Sequence, residues 1–533
     1  MAMFLNQGNE KFIRYMNNRI FIDKSELIKH TNLLFGSNSS FMCITRLRRS
    51  GKTMALSMLN AYYSKGCDSK ELFENLKIYN DPSFDKHLNK HNVIYIDMGG
   101  VLSDCNDRSK VLTSLTENIN KDLNEAFPNI ITEGCTLRNA LVEIKSQTNE
   151  RFIFLIDEWD CIYREEAYNT KLCDEYTNFL RSLFKDSICS SCIDLVYMTG
   201  ILPIRRYNAD STLNNFTEYN MIYPRRLGKS MGFTESEVID LCNKYDMPFE
   251  DLKNWYNGYK FKKVGSIYNP KSVVEAIYEE ECRDYWTQTR SMDDIKNYMN
   301  YDNGVLKSDI ASMLAGDKVK VDVVKFENDL TKINSRDAAL TVLIHLGYLA
   351  YDEEYKSCYI PNYEIKQELQ RAIEDLDWEE FKYPIEASSD LIKATFNLNF
   401  DYINEVFDKN HKELSTIFNK NKEDKEYFGE IFFGVVTYLS YSQMNDRYYV
   451  NKEANTSTGR CDIIYKPRYK DPGVIVELKV DSTPSDAINQ INNKQYLDLL
   501  GSYKGEVYLV GINYNSKTLK HDSMVKVVNK EYL

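Results

Sequence analysis

The chain has 533 residues, of which 43% are hydrophobic, and its 67 basic and 79 acidic side chains give a formal net charge of −12. The length predicts three or four domains of roughly 150 residues each, and the charge excludes a protein that coats nucleic acid through bulk attraction. The first residues lack the basic and apolar regions of a signal peptide, and no apolar run approaches the roughly 20 residues that span a bilayer. We expect a cytoplasmic protein with no membrane partner and with its 12 cysteines reduced.

Four short apolar runs in the first 230 residues predict buried β-strands: FMCIT (41–45), VIYIDM (93–98), FIFLID (152–157) and DLVYMTG (194–200). Segments with helical spacing separate them. Runs that are apolar throughout, rather than alternating, are typical of strands that are covered on both faces of a parallel sheet. This part of the chain is therefore predicted to be an α/β domain.

The pattern changes twice further along the chain, which predicts borders near residues 230 and 420. Between them apolar residues recur at helical spacing, GFTESEV (232–238) has the spacing of a capping box, and residues 340–365 read as a helix, a small hairpin and another helix, a winged arrangement. After the second border the pattern predicts a helix, a β-hairpin, a helix and a final strand, VYLVGI (507–512). The predicted domains are residues 1–230, 231–420 and 421–533.

The first predicted strand leads into RLRRSGKT, in which Gly51, Lys52 and Thr53 match the end of the phosphate-binding pattern GxxxxGK[ST]. A strand, a tight loop with exposed backbone N–H groups and a helix N-terminus together bind phosphates. Lys52 would contact the β- and γ-phosphates, and Thr53 would ligate Mg²⁺. Arg46, which replaces the first glycine of the pattern, would line the nucleotide-binding loop with Ser50 and Gly51. The alternative is an ordinary junction between a loop and a helix.

The acidic partner of this loop is FIFLIDEWD (152–160), which places Asp157 and Glu158 at the carboxyl end of a predicted strand, where α/β sheets bind ligands. Asp157 would hold the water shell of Mg²⁺, and Glu158 would polarise the water that attacks ATP. Thr199, at the end of the next predicted strand, would sense the γ-phosphate. A strand that ends in a solvated acidic turn is the alternative. The two motifs in this order predict a P-loop domain that binds ATP and Mg²⁺.

A set of short segments resembles the landmarks of the AAA-ATPase-like family of bacteria and anaerobic fungi: FIDKSELI, RLRRSGKT, LIDEWD, the TG of MTGILP, GFTESEV, WYNGYKF, YNPKSV, YWTQT, GYLAY and IPNYE. They cover roughly residues 10–370. The resemblance implies that Arg46 is a family trait and that a nuclease-superfamily domain follows. The chain departs from the family after MTG, where a Ser-Arg pair is more usual. The identity of the arginine finger therefore stays open, and the candidates are Arg205, Arg206, Arg225 and Arg226.

Two later segments, CDIIY and VIVELKV, predict a hairpin with a Pro- and Gly-bearing turn. Side chains alternate along a strand, so Glu477 and Lys479 lie on one face, and strand pairing brings Asp462 beside Glu477. Two adjacent carboxylates form a hard oxygen site for Mg²⁺ or Mn²⁺. Lys479 would orient a water and stabilise the charge of a pentavalent phosphate. The alternative is a surface hairpin whose Glu–Lys pair is solvated.

This Asp…ExK layout resembles the core of the PD-(D/E)XK nucleases. The resemblance makes Asp462 and Glu477 the two acids and Lys479 the lysine, and it adds the backbone carbonyl of Leu478 as a metal ligand. It implies that the catalytic residues of a C-terminal nuclease are these acids and this lysine.

Three further pieces fit the same superfamily. The helix before the hairpin offers a further acid, for which Glu426 and Glu430 both stay open, with Glu430 nearer the helix middle. Gln490 and Tyr496 resemble a Gln…Tyr element near the metal or the phosphate. The Gly-Arg pair at 459–460 matches the usual residues ahead of the first acid.

The predicted fold class is α/β and multidomain, with an N-terminal P-loop NTPase built on a parallel sheet, a helical and winged middle, and a C-terminal restriction-endonuclease-like core. The predicted function is ATP binding and hydrolysis together with metal-dependent cleavage of nucleic acid, DNA being favoured, under the control of the nucleotide state. The competing prediction is a nucleotide-dependent switch or scaffold whose nuclease-like domain binds DNA or a partner without cutting. A homo-oligomer would allow an arginine to act in trans. Beyond residue 420 basic and acidic side chains nearly balance, which suits contact with nucleic acid.

Overall fold

A computed structural model describes residues 2–204, 206–207, 210–211, 213–286, 305–324, 326, 330, 333–376, 378–418, 427–442, 444, 447–455 and 460–530. The chain forms two compact units. The first comprises residues 1–288 and 321–364, and the second comprises residues 289–320 and 365–533. The three-domain division with borders at 230 and 420 stays a prediction.

The first 219 residues alternate between helices and short strands. In chain order these elements are α1 (Glu10–Met16), α2 (Glu26–Leu34), β1 (Phe41–Thr45), α3 (Lys52–Tyr63), α4 (Lys70–Phe73), α5 (Phe84–His87), β2 (Asn92–Asp97), α6 (Met98–Asp104), α7 (Val111–Ala126), α8 (Leu137–Thr148), β3 (Phe152–Asp157), α9 (Cys161–Glu165), α10 (Thr170–Phe184), α11 (Ser187–Ser190), β4 (Ile193–Gly200), β5 (Arg206–Tyr207), β6 (Asp210–Ser211) and β7 (Thr217–Tyr219).

The following part of the chain is mostly helical and carries short hairpins. Its elements are β8 (Phe233–Thr234), α12 (Glu235–Tyr245), α13 (Phe249–Tyr256), β9 (Tyr259–Phe261), β10 (Gly265–Tyr268), α14 (Pro270–Glu279), α15 (Val305–Leu314), β11 (Val319–Lys320), α16 (Arg336–Leu346), β12 (Ala350–Asp352), β13 (Ser357–Tyr359) and α17 (Tyr363–Asp375).

The last part begins with long helices and ends with a sheet. Its elements are α18 (Glu379–Phe396), α19 (Phe400–Phe418), α20 (Tyr427–Ser440), β14 (Tyr448–Asn455), β15 (Arg460–Pro467), β16 (Gly473–Val480), α21 (Pro484–Asn493), β17 (Glu506–Asn515) and β18 (Lys520–Asn529). Across the described ranges, no helix combines the length and the apolar character needed to cross a bilayer.

The first unit is built on a sheet in the order β2-β3-β4-β1-β7, and each neighbouring pair is parallel. All five residues of β1 and all six of β3 are buried, because apolar side chains cover both faces of the sheet. This confirms the predicted parallel sheet and its four strands. Parallel register brings Thr45 beside Gly200 and Asp97 beside Asp157, so the functional ends of the strands share one edge.

The predicted capping box lies in the same unit, and the predicted winged arrangement runs past its last residue, 364, into the second unit. Thr234 accepts a hydrogen bond from the backbone N–H of Glu237, whose carboxylate accepts one from the N–H of Thr234 at 2.8 Å. Helix α16 is followed by the antiparallel pair β12–β13 and then by α17, as the sequence predicts. Gly347 ends α16 with φ of +89°, a conformation that glycine adopts without steric cost.

The second unit contains a five-stranded mixed sheet in the order β14-β15-β16-β17-β18. The hairpin β15–β16 is antiparallel, as predicted, and β16 pairs with β17 in parallel. The sequence analysis missed the two outer strands, β14 and β18. Both carry lysines and other polar residues that interrupt any apolar pattern, as is usual for strands at the edge of a sheet.

Candidate functional site

The phosphate loop runs from β1 to the N-terminus of α3. Gly51 precedes the helix with φ of +93°, so that Lys52 and Thr53 are its first two residues. Thr53 is exposed, whereas Ser50 is buried and its backbone carbonyl accepts a hydrogen bond from Gly232 N–H at 2.9 Å. A helix of 12 residues that starts here directs its free N–H groups and its positive dipole end at the loop.

The Lys52 side chain is folded back into the loop. Its ammonium donates to the backbone carbonyls of Arg46 at 3.1 Å and Leu47 at 2.9 Å, and only 9% of the residue is exposed. Burial lowers the pKa of Lys52 to about 8, although the nearby Asp157 and Asp160 carboxylates oppose that shift. The loop therefore holds a desolvated ammonium that two backbone dipoles compensate, and phosphate oxygens are stronger acceptors for it.

Arg46 takes the position of the missing glycine without entering the space inside the loop. Its guanidinium donates to the carbonyls of Thr45 at 2.9 Å and Tyr219 at 2.8 Å, and it lies over the ring of Phe261 at 5.3 Å. Burial lowers the pKa of Arg46 to about 10. The side chain thus connects the phosphate loop to β7 and β9 within the same unit.

The acidic side of this site lies at the ends of β3 and β4. Thr199 is fully buried and its hydroxyl donates to Asp157 Oδ1 at 2.5 Å. Asp157 is 3% exposed, and Glu158 follows it with φ of +51° and almost half of its side chain exposed. Positive φ at a residue other than glycine is uncommon and concentrates at functional sites. Burial raises the pKa of the Glu158 carboxyl.

Two residues that the sequence analysis missed, Asp160 and Arg164, fix the turn after β3. Asp160 is fully buried and accepts hydrogen bonds from Ile201 N–H at 3.1 Å and Leu202 N–H at 2.8 Å. Arg164 pairs with Asp160 at 3.1 Å and with Glu158 at 3.3 Å. The second acid of DEWD is the signal that could have found Asp160.

The residues of this site fit a nucleoside triphosphate and its Mg²⁺. In the described part of the chain, the Ser50 hydroxyl is buried without a hydrogen-bond partner. A buried donor without a partner costs about 1–3 kcal/mol, and phosphate oxygens are acceptors. The Thr53 hydroxyl and the Asp157 carboxylate are oxygen donors of the type that Mg²⁺ prefers.

The second site is the carboxylate pair on the hairpin β15–β16. Ile463 and Val476 are cross-strand neighbours, which makes Asp462 and Glu477 the next opposed positions. Asp462 Oδ2 accepts from Leu478 N–H at 2.7 Å, and Glu477 Oε2 accepts from Asp462 N–H at 3.4 Å. Glu477 is 1% exposed, and burial followed by the charge of Asp462 raises the pKa of its carboxyl.

Lys479, Gln490 and Tyr496 surround this pair. The Lys479 ammonium lies 3.2 Å from Glu477 Oε1 and 2.8 Å from the side-chain oxygen of Gln490. The Gln490 amide donates to Glu477 and, at 3.3 Å, to the hydroxyl of Tyr496, which in turn donates to the carbonyl of Arg460 at 2.5 Å. The structure thus brings together five of the residues that the sequence analysis assigned to one site.

The donor set fits a divalent cation held by few protein ligands. Two adjacent carboxylates, one with its pKa raised by burial and then by the charge of the other, are the arrangement that a hard cation neutralises. Within the ranges that the structure describes, no three His, Cys, Asp or Glu side chains form a metal cluster. The pair would therefore be completed by the Leu478 carbonyl, by water, or by an acid outside this set.

Other predicted residues fall wholly or partly outside the described residues. Glu426 lies outside them, and Glu430 is on α20 without a described side chain. Of the arginine-finger candidates, Arg205 lies outside the described residues and Arg206 is on β5. Arg225 and Arg226 begin a 3₁₀ turn that ends at Leu227. The catalytic and binding roles assigned to single residues all stay predictions.

Comparison with known families matches both ends of the chain. Residues 8–208 match the model described as "Predicted AAA-ATPase", and residues 428–524 match the model of the PD-(D/E)XK nuclease superfamily. The first match contains the phosphate loop and the acidic turn after β3, and the second contains the hairpin with its carboxylate pair. No curated protein matches the chain.

Two solved structures are among those that are similar to the chain. Cdc6p from Pyrobaculum aerophilum is 10% identical, with 70% of this chain and 99% of that chain covered and a TM-score of 0.28. The ORC2 protein of Aeropyrum pernix, in ADPNP–ADP complexes, is 10% identical, with 67% and 97% covered and a TM-score of 0.29. Scores this low carry no inference about fold or activity.

Proposed function

From the premise that this chain joins an AAA-ATPase-like domain to a PD-(D/E)XK nuclease superfamily domain, we propose that it is an ATP-hydrolysing, metal-dependent nuclease. The observation that carries the nuclease half is the network that links Glu477, Lys479 and Gln490 beside Asp462. A solvated surface hairpin would not bury Glu477 to 1% exposure. DNA is the favoured substrate, and the protein is proposed to act in the cytoplasm.

In the ATPase half, each residue has a separate task. Lys52 would exchange its two loop carbonyls for β- and γ-phosphate oxygens, and the helix N-terminus would bind the phosphates through backbone N–H groups. Thr53 and Asp157 would hold Mg²⁺, which when bound neutralises the phosphate charge. Glu158 would orient and polarise the attacking water, and Thr199, which already bonds Asp157, would report the γ-phosphate through it.

In the nuclease half, Asp462, Glu477 and the Leu478 carbonyl would hold one or more Mg²⁺ or Mn²⁺ ions. A bound ion supplies Lewis-acid activation of the phosphate and lowers the pKa of a water. Lys479 would place the attacking water and compensate the negative charge that develops on the phosphate. Gln490 fixes the orientation of Lys479 through the hydrogen bond at 2.8 Å, and Tyr496 fixes Gln490.

The nuclease proposal is tested with purified full-length protein, plasmid and linear DNA, and Mg²⁺ or Mn²⁺, with and without ATP. Lys479→Ala should reduce the cleavage rate by at least about 100-fold, the order of loss when one charge-stabilising donor is removed. Lys517→Ala, an exposed lysine in the β17–β18 turn, serves as the control and should cut as the wild type does. Equal rates for wild type and Lys479→Ala on every substrate would contradict the proposal.

The ATPase proposal is tested separately. Lys52→Ala should abolish nucleotide binding, and Glu158→Gln should bind ATP but turn it over much more slowly, because the attacking water loses its base. Undiminished hydrolysis by Lys52→Ala would place the ATP site elsewhere. Cleavage that depends on ATP in the wild type and is lost in Lys52→Ala would support control of the nuclease by nucleotide state.

The same measurements separate the proposal from the competing function of a switch or scaffold. A protein that binds DNA and hydrolyses ATP, but never cuts in either metal, would be such a switch. Mass measurement with and without ATP tests the proposed homo-oligomer. A nucleotide-dependent rise in mass is expected if an arginine of one subunit completes the ATP site of another.

A further inference from the structure

One end of the C-terminal sheet, opposite the end that carries the carboxylates, gathers cationic side chains. We call this set the basic rim, and its members are Arg447, Lys466, Arg468, Lys470, Lys504 and Lys530. Backbone hydrogen bonds hold its segments together, from Arg468 N–H to the carbonyl of Arg447 at 2.9 Å and from Lys530 N–H to that of Gly505 at 3.0 Å. In a chain with a net charge of −12, such a local surplus of positive charge is unexpected.

An acidic side chain contacts one member of the basic rim. Asp471 is engaged by Arg447, whose guanidinium reaches both of its oxygens at 3.1 and 2.5 Å. Lys530 donates its ammonium hydrogen to the carbonyl of Gly501, and the ammonium of Lys466 lies 3.5 Å from the place that a Cβ on Gly501 would occupy. Two ammonium groups therefore approach one glycine. Like charges that converge in this way favour an anion between or beside them.

Aromatic rings orient the most prominent cation of the basic rim. The Arg468 guanidinium lies over the ring of Tyr449 at 5.6 Å and over that of Tyr469 at 5.7 Å. Tyr469 is 64% exposed in the turn after β15. A guanidinium held flat against tyrosine rings keeps its planar fork of donors ordered, which suits bidentate contact with a phosphate.

Lys466 of the basic rim and Asp462 lie on one face of β15, with the buried Ile464 between them. Alternation places Lys466 on the face of β15 that carries Asp462, four residues away, and Arg468 follows two residues later. At about 3.3 Å per residue these separations are roughly 13 and 20 Å. They correspond to roughly four to six steps of duplex DNA at about 3.4 Å per base pair.

Strand β14, at the edge of the sheet, leads from the basic rim toward the carboxylates. Tyr449 on β14 is the cross-strand neighbour of Lys466, and Asn451 is that of Ile464, so both follow the face that leads toward Asp462. Strand β14 ends the sheet, Tyr449 is partly exposed and Asn451 is exposed. Aromatic and amide side chains of this kind contact sugars and phosphates, which supply half to two-thirds of the hydrogen bonds in protein–DNA interfaces.

We propose that the basic rim binds the phosphate backbone of duplex DNA at a distance of four to six base pairs from the bond that is cut. The distance from the cut rests on the proposed nuclease function, whereas the binding of phosphates does not. The basic rim would hold the duplex along β14 so that one phosphate reaches Asp462 and Glu477.

The test measures binding without cleavage. Full-length protein with Asp462→Asn, in the absence of divalent metal, is titrated against a labelled duplex of about 30 base pairs at several salt concentrations. Removing Arg468 and Lys470 together as glutamines should weaken binding about tenfold at low salt and lower the slope of log K against log salt by about 2, one unit for each lost phosphate contact. The control, Lys171→Gln with Lys393→Gln, removes two charges from exposed lysines elsewhere and should change neither quantity.

Two further variants distinguish a lost phosphate contact from a loss of folding. Lys470→Gln alone, at an exposed turn position, should lower the slope by about 1, and Arg468→Lys, which retains the charge, should leave the slope unchanged. Unchanged affinity and slope in the double variant would overturn the proposal, even if the wild type cuts DNA. Weakened binding in that variant supports the proposal, even if the wild type never cuts, in which case only the nuclease function fails.

Discussion

Arg164 has 8% of its side chain exposed and pairs with the fully buried Asp160 at 3.1 Å. Arg138 pairs with Asp186 at nearly the same distance, 3.0 Å, but about a third of each side chain is exposed. Water screens the second pair and not the first. Two ion pairs of the same length in one unit should therefore differ greatly in the cost of losing one partner.

We predict that Arg164→Gln lowers the free energy of unfolding by about 3–5 kcal/mol, because it leaves the Asp160 charge buried and uncompensated. Arg138→Gln should cost less than about 1 kcal/mol. Urea denaturation of both variants measures the difference. Equal losses would mean that water reaches the Asp160 carboxylate.

Glu364 is a second buried carboxyl at the residue scale. It is 1% exposed, its Oε1 accepts from Tyr285 N–H at 2.9 Å and Trp286 N–H at 2.8 Å, and Ser272 Oγ lies 2.9 Å from its Oε2. Burial raises the pKa of Glu364 from 4.5 to about 8. Between pH 4.5 and about pH 8, the folded state therefore keeps a proton on Glu364 that the unfolded state has released.

Because the folded pKa is raised, the contribution of Glu364 to stability is fully present below pH 4.5 and is lost as the pH rises to about 8. At about 1.4 kcal/mol for each pKa unit, the loss amounts to at most about 5 kcal/mol of unfolding free energy. Glu364→Gln keeps an acceptor for the two N–H groups and a donor for Ser272. It should match the wild type near pH 5 and have a higher Tm at pH 8. Glu353→Gln, at an exposed position, is the control and should leave the pH dependence unaltered. A parallel pH dependence in Glu364→Gln and wild type would show that this carboxyl is ionised in the folded protein.

At the scale of elements, the C-terminus of α16 supports the phosphate loop. Gly347 ends this helix with φ of +89°, and a Cβ at this position would lie 2.7 Å from Cβ of Leu47 in the loop. Gly265 has nearly the same φ, +87°, but nothing lies within 4 Å of its Cβ position. Both glycines need a positive φ, but only a side chain at position 347 would also collide with Leu47.

Gly265→Ala should therefore cost about 1–2 kcal/mol of unfolding free energy, the penalty of a left-handed conformation. Gly347→Ala should cost about 1–3 kcal/mol more, because the Leu47 backbone must shift, and it should also weaken ATP binding. Denaturant titration gives the first quantity and nucleotide titration gives the second. If both variants bind ATP with wild-type affinity, the contact does not shape the loop.

At the scale of the whole molecule, the chain passes between the two compact units three times, after residues 288, 320 and 364. The predicted border at 420 differs from this division. Helix α19, which precedes that border, belongs to the second unit and buries Ile403, Val406, Phe407 and Leu414 completely. At about 1.5–3 kcal/mol each, these side chains contribute an amount comparable to the net stability of a domain.

A fragment of residues 421–533 lacks α19 and should therefore melt at a lower temperature than a fragment of residues 365–533, although both lack the 289–320 segment of the second unit. The shorter fragment also loses Asp408, whose carboxylate accepts from the backbone N–H of His521 at 2.9 Å and from its ring. Circular dichroism during heating compares the two fragments. Cooperative melting of 421–533 at the same temperature as the longer fragment would support the border at 420 instead.

The sequence by itself determined the features that depend on residues close together in the chain. Apolar runs give β1 and β3, the loop after β1 follows from Gly51 and Lys52, and alternation along a hairpin places Glu477 beside Asp462. These signals lie within a few residues of one another or across one tight turn, where the geometry of the backbone alone sets the spacing.

Only the tertiary structure decided which distant groups meet. Arg46 donates to a carbonyl 173 residues away, and Asp160 accepts from backbone groups more than 40 residues away. Likewise, β18 is recognised by what it packs against, since its own pattern is interrupted by charges. Such contacts depend on how whole layers pack and exclude water, and no periodicity in the sequence encodes that arrangement.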